Sequence, residues 1–287
     1  MNENSQQQVL AIDDWLQSAA DILKHAQINT AQLDAEILLA HTLRKHRTYL
    51  HAHGDEPLDA RMQEIADARI ALRSDHVPVA YIIGHKEFYG RRFKVTTATL
   101  IPRPESETII DVLREVLPKN ETLFTEKIRV VDVGTGSGIL GITAKLEWPE
   151  LDITLLDISL PALKVAETNA VSLHADVQAL KSDLLTGYPF TPDIILANLP
   201  YVDASWERSL ETDKEPSLAL FAGDGGKALI YKLITQASTT LRPKGIIILE
   251  ADPSQHHAIT QFAQQHTFHV LHQDAYCIAL ERNVGND

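Results

Sequence analysis

The first quarter of the chain repeats apolar residues at the spacing of an α-helix. One such face is formed by Ile12, Trp15, Leu16, Ala19, Ile22 and Leu23, because residues three and four positions apart lie on the same side of a helix. A second helix is predicted after a cap at Asn29 or Thr30, with Leu33 on its apolar face. A third is predicted after Pro57. This region therefore predicts a small helical bundle.

The pattern changes after the helical segment. Phe88-Tyr89-Gly90 and Arg92-Phe93-Lys94-Val95 predict a short β-hairpin that turns near Gly90. Ile101-Pro102-Arg103-Pro104 predicts a stiff extended joint, since proline restricts its own backbone and that of the residue before it. A helix is predicted to follow at 106–117 and to end at Pro118.

From residue 128 onward, predicted strands alternate with predicted helices. The strands fall at 129–133, 153–157, 177–181, 194–198 and 245–250, and the helices at 138–147, 160–170, 225–238 and 253–265. Such alternation predicts a parallel sheet with right-handed crossovers. Segments 268–271 and 276–281 predict a closing antiparallel pair that turns near Gln273-Asp274. The predicted fold class is α/β, a Rossmann-like seven-stranded domain preceded by a small helical-bundle domain.

The apolar strand that ends at Ala197 runs directly into Asn198-Leu199-Pro200-Tyr201. An amide, a turn-forming proline and an aromatic ring therefore project from the carboxyl end of a strand, where open α/β sheets build their sites. Asn198 can accept an N–H bond through Oδ1, and Tyr201 offers a flat face for stacking. The group suits a planar nitrogen, such as an amide or an exocyclic amine.

A glycine-rich turn ends the first strand of the α/β region. Gly134-Thr135-Gly136-Ser137-Gly138 allows tight turning and close approach of the backbone to a ligand. Asp157 and Asp183 end the next two strands, and a carboxylate at the first of these positions can bind two ribose hydroxyls. Ile139 replaces the third glycine of the dinucleotide fingerprint, so an adenosine-type ligand fits better than NAD.

Composition and charge narrow the function classes. The 287 residues are 44% hydrophobic and 23% charged, which suits a globular protein with a sizeable core. The net charge of −13 argues against broad nucleic-acid binding, which needs a basic surface. Cys277 is the single cysteine, so neither an internal disulfide nor a thiolate metal cluster is expected.

Targeting and metal-binding signals are weak. Residues 1–5 are polar and lack the basic and apolar regions of a signal peptide, and no apolar run approaches the length of a membrane span. His51-Ala52-His53 and His256-His257 lack carboxylate or cysteine companions at ligand spacing. We therefore expect a cytoplasmic protein with no metal, no membrane partner and no direct nucleic-acid partner.

Taken together, these motifs resemble those of the class I S-adenosylmethionine-dependent methyltransferases. The resemblance narrows to the HemK family, the protein-(glutamine-N5) methyltransferases that act on bacterial peptide chain release factors, and it covers nearly the whole chain. Its most specific parts are the joint at 81–107 and the segment at 215–225. Asp34-Ala35-Glu36-Ile37-Leu38-Leu39 is similar to the family's helical motif, and 131–138 to the cofactor loop that all class I members share.

The resemblance implies methyl transfer from S-adenosylmethionine, which becomes S-adenosylhomocysteine, to the side-chain nitrogen N5 of a glutamine in the GGQ loop of release factors. It implies three parts, a helical substrate-docking domain at 1–78, a β-hairpin linker at 79–104 and the methyltransferase domain at 105–287. The protein would bind its protein substrate as a monomer.

The resemblance also assigns roles to individual residues. The methionine and ribose part of the cofactor would lie in the cradle of Gly134, Thr135, Gly136, Ser137 and Gly138. Asp157 would bind the ribose hydroxyls, and Asp183 and Leu184 would flank the adenine. Asn198 would contact both the cofactor and the substrate amide, and the catalytic set would be Asn198, Leu199, Pro200 and Tyr201.

The tetrapeptide departs from the family's usual Asn-Pro-Pro-Tyr at Leu199. The family uses the backbone carbonyl of that position to accept the second amide hydrogen. Leucine keeps the carbonyl, so a working site is expected. Three other functions stay open: a glutamine methyltransferase acting on a ribosomal protein, an N6-adenine-type nucleic-acid methyltransferase, and an S-adenosylmethionine-binding protein impaired at Leu199.

Overall fold

The computed structural model describes residues 9–117 and 127–284. The polar start at 1–5 and the predicted helix end at Pro118 lie outside this range. The chain divides into two compact units, the first comprising 1–84 with 209–214 and the second 85–208 with 215–287. This division differs from the predicted three parts, because residues 79–84 belong to the helical unit and the hairpin to the second unit.

The first unit is helical. Its elements are α1 (Ile12–His25), α2 (Ala31–Leu43), α3 (Arg47–Ala52), α4 (Ala60–Ser74) and α5 (Val79–Ile83). The Asp59 side chain caps α4 by accepting the backbone N–H groups of Arg61 and Met62. Ile22 and Leu33 were predicted on buried faces, but they are 49% and 40% exposed. The other predicted residues of the α1 face, such as Trp15 and Leu23, are buried in the core of this unit.

Two buried acidic residues of the 34–39 motif form ion pairs within the helical unit. Asp34 accepts a 2.7 Å bond from Nε of Arg73, a side chain that is only 1% exposed. Arg73 also pairs with Glu211, from the short 209–214 segment of the same unit. Glu36 accepts a 2.6 Å bond from Nη2 of Arg47. These pairs give the motif a structural task, since they satisfy buried charges and join helices to one another.

The second unit opens with the predicted hairpin, which the structure confirms. Strands β1 (His85–Phe88) and β2 (Arg91–Lys94) pair antiparallel. The two turn residues, Tyr89 and Gly90, have φ angles of 50° and 71°. Two left-handed residues in succession form the turn whose twist matches that of the flanking strands.

A seven-stranded sheet forms the centre of the second unit and confirms the predicted Rossmann-like α/β fold. Its strands are β3 (Arg129–Val133), β4 (Asp152–Asp157), β5 (Gln178–Lys181), β6 (Ile194–Ala197), β7 (Ile246–Glu250), β8 (Phe268–Asp274) and β9 (Cys277–Arg282). The order is β5-β4-β3-β6-β7-β9-β8, and β9 runs antiparallel to both of its neighbours. The β8–β9 turn lies at Ala275-Tyr276, two residues later than predicted, because the strands extend further.

Helices cover both faces of this sheet. They are α6 (Glu107–Val116), α7 (Ile139–Glu147), α8 (Leu160–Ser172), α9 (Ala228–Thr240) and α10 (His256–Gln265). Successive strand residues point to opposite faces, so Val130 lies in one buried apolar cluster and Val131 in another. None of the helices in the described part of the chain combines the length and apolarity that a membrane span requires.

Candidate active site

A cavity of about 320 Å³ lies at the carboxyl ends of adjacent parallel strands in the second unit. Eight of the predicted site residues line it, namely Gly134, Gly136, Asp157, Asp183, Leu184, Asn198, Leu199 and Pro200. Thr135 and Ser137 line a smaller neighbouring cavity of about 40 Å³. Gly138 and Tyr201 lie outside the linings of both cavities. The structure thus brings most of the predicted residues to one place.

The glycine turn is held tightly against the sheet. The backbone N–H groups of Gly134 and Thr135 both donate to the Leu156 carbonyl, at 2.8 and 2.9 Å. Gly134 has a φ of 71°, in the left-handed region that favours glycine. A Cβ atom at Gly134 would also lie only 2.8 Å from Cδ2 of Leu199. The turn and the tetrapeptide are therefore in close contact, and Gly134 leaves no room for a side chain.

The buried carboxylate of Asp132 forms hydrogen bonds to the glycine turn and to the helix that follows it. Asp132 Oδ2 accepts the Thr135 hydroxyl at 2.6 Å and the Gly141 N–H at 2.9 Å. The side chain is 1% exposed, and this burial raises the pKa of Asp132 to about 6. Asp132 therefore fixes the shape of the turn and is absent from the lining of the larger cavity.

Asp157 faces the cavity from the end of β4. Its Oδ2 accepts the Gly136 N–H at 2.9 Å, and its Oδ1 accepts the Ser159 N–H at 2.8 Å. Burial raises the pKa of Asp157, and the backbone donors oppose that rise. Each carboxylate oxygen has a second lone pair, so the side chain can bind two hydroxyl groups while it keeps the glycine turn in place.

Asp183 and Leu184 follow β5 and differ sharply in environment. The Asp183 side chain is 48% exposed, and its Oδ2 accepts a 2.6 Å bond from Lys232 Nζ. Leu184 is buried and has a φ of 51°, an uncommon conformation for a residue with a side chain. The Leu184 carbonyl accepts the Ser182 hydroxyl at 2.6 Å, which helps to hold this strained backbone.

Asn198 and Tyr201 are joined by the carboxylate of Glu250, a residue that no sequence motif marks as part of the site. Asn198 Nδ2 donates to Ser106 Oγ at 2.8 Å and to Glu250 Oε2 at 2.9 Å. The Tyr201 hydroxyl donates to Glu250 Oε1 at 2.8 Å, and Ser106 Oγ donates to Glu250 Oε2 at 2.6 Å. Burial raises the pKa of Glu250, and the hydroxyl donors oppose that rise. Burial, together with the Glu250 charge, raises the pKa of Tyr201.

The two motifs that carried the resemblance most specifically meet at the cavity rim. Glu215 is buried, pairs with Arg103, and accepts the Ile101 N–H at 3.0 Å. Residues 98–100 belong to the 81–107 joint and line the cavity, as do Pro216, Leu218 and Ala219. Glu215 thereby links the 215–225 segment to residues 101–103 of the joint. Within the described ranges, no group of three or more histidine, cysteine or acidic side chains is placed to hold a metal ion.

Comparison with known proteins agrees with this architecture. The family model of the PrmC N-terminal domain matches residues 14–84, and that of the methyltransferase small domain matches residues 106–213. A methyltransferase structure from Pyrococcus furiosus covers 76% of this chain and 98% of its own, with a TM-score of 0.51 and 16% identity. At that identity the likeness supports the fold alone.

Two curated relatives are much more similar in sequence. A bifunctional methyltransferase of Rickettsia bellii is 33% identical over 92% of this chain, which spans about half, 53%, of that relative's length. A release factor glutamine methyltransferase of Koribacter versatilis is 39% identical over 82% of this chain and 86% of its own length. The predicted family is confirmed, and the chain belongs to the release factor glutamine methyltransferases.

Proposed function

We propose that this protein transfers a methyl group from S-adenosylmethionine to the side-chain nitrogen N5 of a glutamine in peptide chain release factors. The observation that carries the proposal is the position of Asn198. Asn198 lines the same cavity as Gly134, Gly136 and Asp157. A cofactor held by Asp157 and a substrate amide bound by Asn198 would therefore meet within one cavity.

The cavity suits an adenosine-type cofactor. Small-molecule sites typically span roughly 300–1,000 Å³ and combine apolar walls with a few polar groups, and this cavity of about 320 Å³ has that character. Asp157 would bind the ribose hydroxyls with its remaining lone pairs. Asp183 would meet the adenine amine with Oδ1 while Lys232 keeps Oδ2. When bound, S-adenosylmethionine supplies an electrophilic methyl group on a sulfonium.

The residues of the tetrapeptide would orient the nucleophile. An amide nitrogen reacts poorly because its lone pair is delocalised into the carbonyl. Asn198 Oδ1 and the Leu199 carbonyl would accept its two hydrogens and aim the nitrogen at the methyl group, and orientation of this kind can remove roughly 7–11 kcal/mol of barrier. The same acceptors would stabilise positive charge that grows on the nitrogen. The proton would then leave to water.

Pro200 and Tyr201 would support this arrangement. Pro200 lines the cavity and would shape the turn that carries Asn198. Tyr201 was predicted to stack on the flat amide, and its hydroxyl is fixed by Glu250 at 2.8 Å. Tyr201 itself lies outside the cavity lining, so its stacking on the amide stays a prediction.

The helical unit would dock the protein substrate. A glutamine on a large folded partner needs contacts beyond the cavity, and a separate unit provides surface for them. The net charge of −13 favours association with a basic partner.

The direct test is transfer of a labelled methyl group to a purified bacterial release factor, beside a version whose GGQ glutamine is changed to alanine. We expect label on the first and none on the second. Asn198→Ala should lower kcat by about 10²–10³-fold, the cost of losing one preorganised polar group, and should raise the cofactor Kd by a much smaller factor. The exposed Asn283→Ala is the matched control. Label on both substrate versions, or on a ribosomal protein or an adenine instead, would contradict the proposed substrate.

A further inference from the structure

Glu250 is a buried acid that, within the described part of the chain, accepts its side-chain hydrogen bonds from neutral groups. It ends β7, beside the strand that leads into Asn198, and is 2% exposed. All three of its hydrogen-bond donors are neutral side chains, those of Ser106, Asn198 and Tyr201. Burying a carboxylate costs free energy, and an apolar side chain at this place would avoid that cost. The donors that offset it belong to the tetrapeptide or touch it, which points to a task in the site.

The donors and acceptors around Asn198 define that task. A carboxylate only accepts hydrogen bonds, and a serine hydroxyl has a single proton. Ser106 donates its proton to Glu250, so its oxygen can only accept from Asn198. Both groups next to the Asn198 amide nitrogen are therefore acceptors, and an amide turned the other way would place its oxygen against them. Glu250 thus determines which end of the Asn198 amide is bound and which end is left for a ligand.

We infer that Glu250 is a positioning residue. It holds the Asn198 amide both directly and through Ser106, so that Asn198 Oδ1 is presented to the substrate amide hydrogen. This role rests on the proposed function, and it explains why Asn198 Oδ1 is the end of the amide that faces the substrate. Glu250 also binds the Tyr201 hydroxyl, so one side chain fixes both ends of the tetrapeptide.

The inference separates two substitutions of similar size. Glu250→Met removes both acceptor oxygens and frees the Ser106 hydroxyl to donate to Asn198 Oδ1, so the amide turns and presents Nδ2 to the substrate. Glu250→Gln keeps one acceptor oxygen for Asn198 and Ser106, and its amide N–H can donate to the Tyr201 oxygen. We expect about a 10²-fold loss of kcat for the first, the usual effect of a misplaced group, and a loss below about fivefold for the second.

The experiment measures kcat, substrate KM, cofactor Kd and thermal midpoint for wild type, Glu250→Met and Glu250→Gln, with labelled S-adenosylmethionine and a release factor. Glu281→Met is the control, a partly buried glutamate on β9 paired with the opposite end of β7. A loss confined to kcat, with near-normal cofactor Kd, supports positioning. Should Glu250→Met fail to fold, Ser106→Ala takes its place, with an expected kcat loss of about three- to tenfold.

Two results would overturn the inference. The first is a kcat of Glu250→Met that stays within about threefold of wild type. The second is a kcat of Glu250→Gln that falls as far as that of Glu250→Met, because the effect would then come from the negative charge and not from the orientation of Asn198. If Ser106→Ala is the variant tested, unchanged kcat has the same meaning. An absence of label with the wild-type protein would instead refute the proposed function itself, so the two failures are distinguishable.

Discussion

Asp157→Asn tests the proposed cofactor site without touching the proposed catalytic groups. The carboxylate accepts one backbone N–H on each oxygen, from Gly136 at 2.9 Å and from Ser159 at 2.8 Å. Asparagine supplies one acceptor oxygen, and its NH₂ group must face the other N–H. One backbone donor therefore loses its partner, which should lower the free energy of unfolding by about 1–3 kcal/mol.

The larger effect is expected in cofactor affinity. Hydrogen bonds to a charged group contribute about 1.5–3 kcal/mol, and one of the two proposed ribose contacts loses its carboxylate acceptor. That loss corresponds to about a 10–150-fold rise in cofactor Kd, since about 1.4 kcal/mol is tenfold. Turnover at saturating cofactor should stay within about threefold of wild type, because the Asn198 contacts are unchanged.

Isothermal titration with S-adenosylmethionine measures the Kd, and Asp183→Asn is the matched control. Asp183 is half-exposed and paired with Lys232, an arrangement worth about 0–1 kcal/mol, and asparagine keeps an acceptor for the adenine amine. We expect at most about a fivefold change there. If Asp157→Asn weakens binding no more than Asp183→Asn does, with the fold intact, the assignment of Asp157 is wrong.

Three further predictions concern stability and the unusual tetrapeptide. Arg73→Met leaves the buried Asp34 without its cationic partner, with only the Thr30 hydroxyl still donating to its side chain among the described residues. This change should destabilise the helical unit by about 3–5 kcal/mol in urea unfolding. A change below about 1 kcal/mol would contradict the buried-pair account. Leu199→Pro keeps the backbone carbonyl at the position where the family carries proline, so kcat should stay within about fivefold of wild type. A fall in kcat beyond about tenfold would show that the buried leucine side chain is needed. Burial raises the pKa of Asp132 from 3.8 to about 6, so the folded state binds more protons between these pH values and wild-type stability falls as pH rises through them. Asp132→Asn does not titrate, so its free energy of unfolding should rise by about 3 kcal/mol relative to that of wild type between about pH 4 and 7. A stability difference between the two proteins that does not change with pH would refute the shifted pKa.

The cavity could be predicted from sequence because its residues are strand ends. The runs before Gly134, Asp157 and Asn198 are short, apolar and followed by helices, so they predict parallel strands whose carboxyl ends share one edge. The structure places all three residues around one cavity. Local pattern was sufficient here because each residue directly follows its own strand.

Glu250 and its partners could not be predicted in this way. Ser106 and Glu250 are 144 residues apart and bond to each other at 2.6 Å, and no local pattern marks a glutamate at a strand end as buried. The left-handed backbone of Leu184 is likewise set by surrounding contacts and not by its residue type. Helices α3 and α5 have 6 and 5 residues, too few for a helical period to show.

The exposed positions of Ile22 and Leu33 have a related cause. Periodicity gives the direction of a helix's apolar face, but the width of that face depends on which neighbours cover it. Trp15 and Leu23 face the core of the helical unit, whereas Ile22 lies at the edge of the face and is 49% exposed. Such limits are set by packing between helices and not by the sequence of any one helix.

Peptide mapping of a methylated release factor by mass spectrometry tests the central claim most directly. Wild-type protein, S-adenosylmethionine and an unmodified release factor should yield one added methyl group, located on the side-chain nitrogen of the GGQ glutamine. The Asn198→Ala protein should yield almost none in the same time. A methyl group on any other residue, or equal methylation by both proteins, would contradict the account of this site.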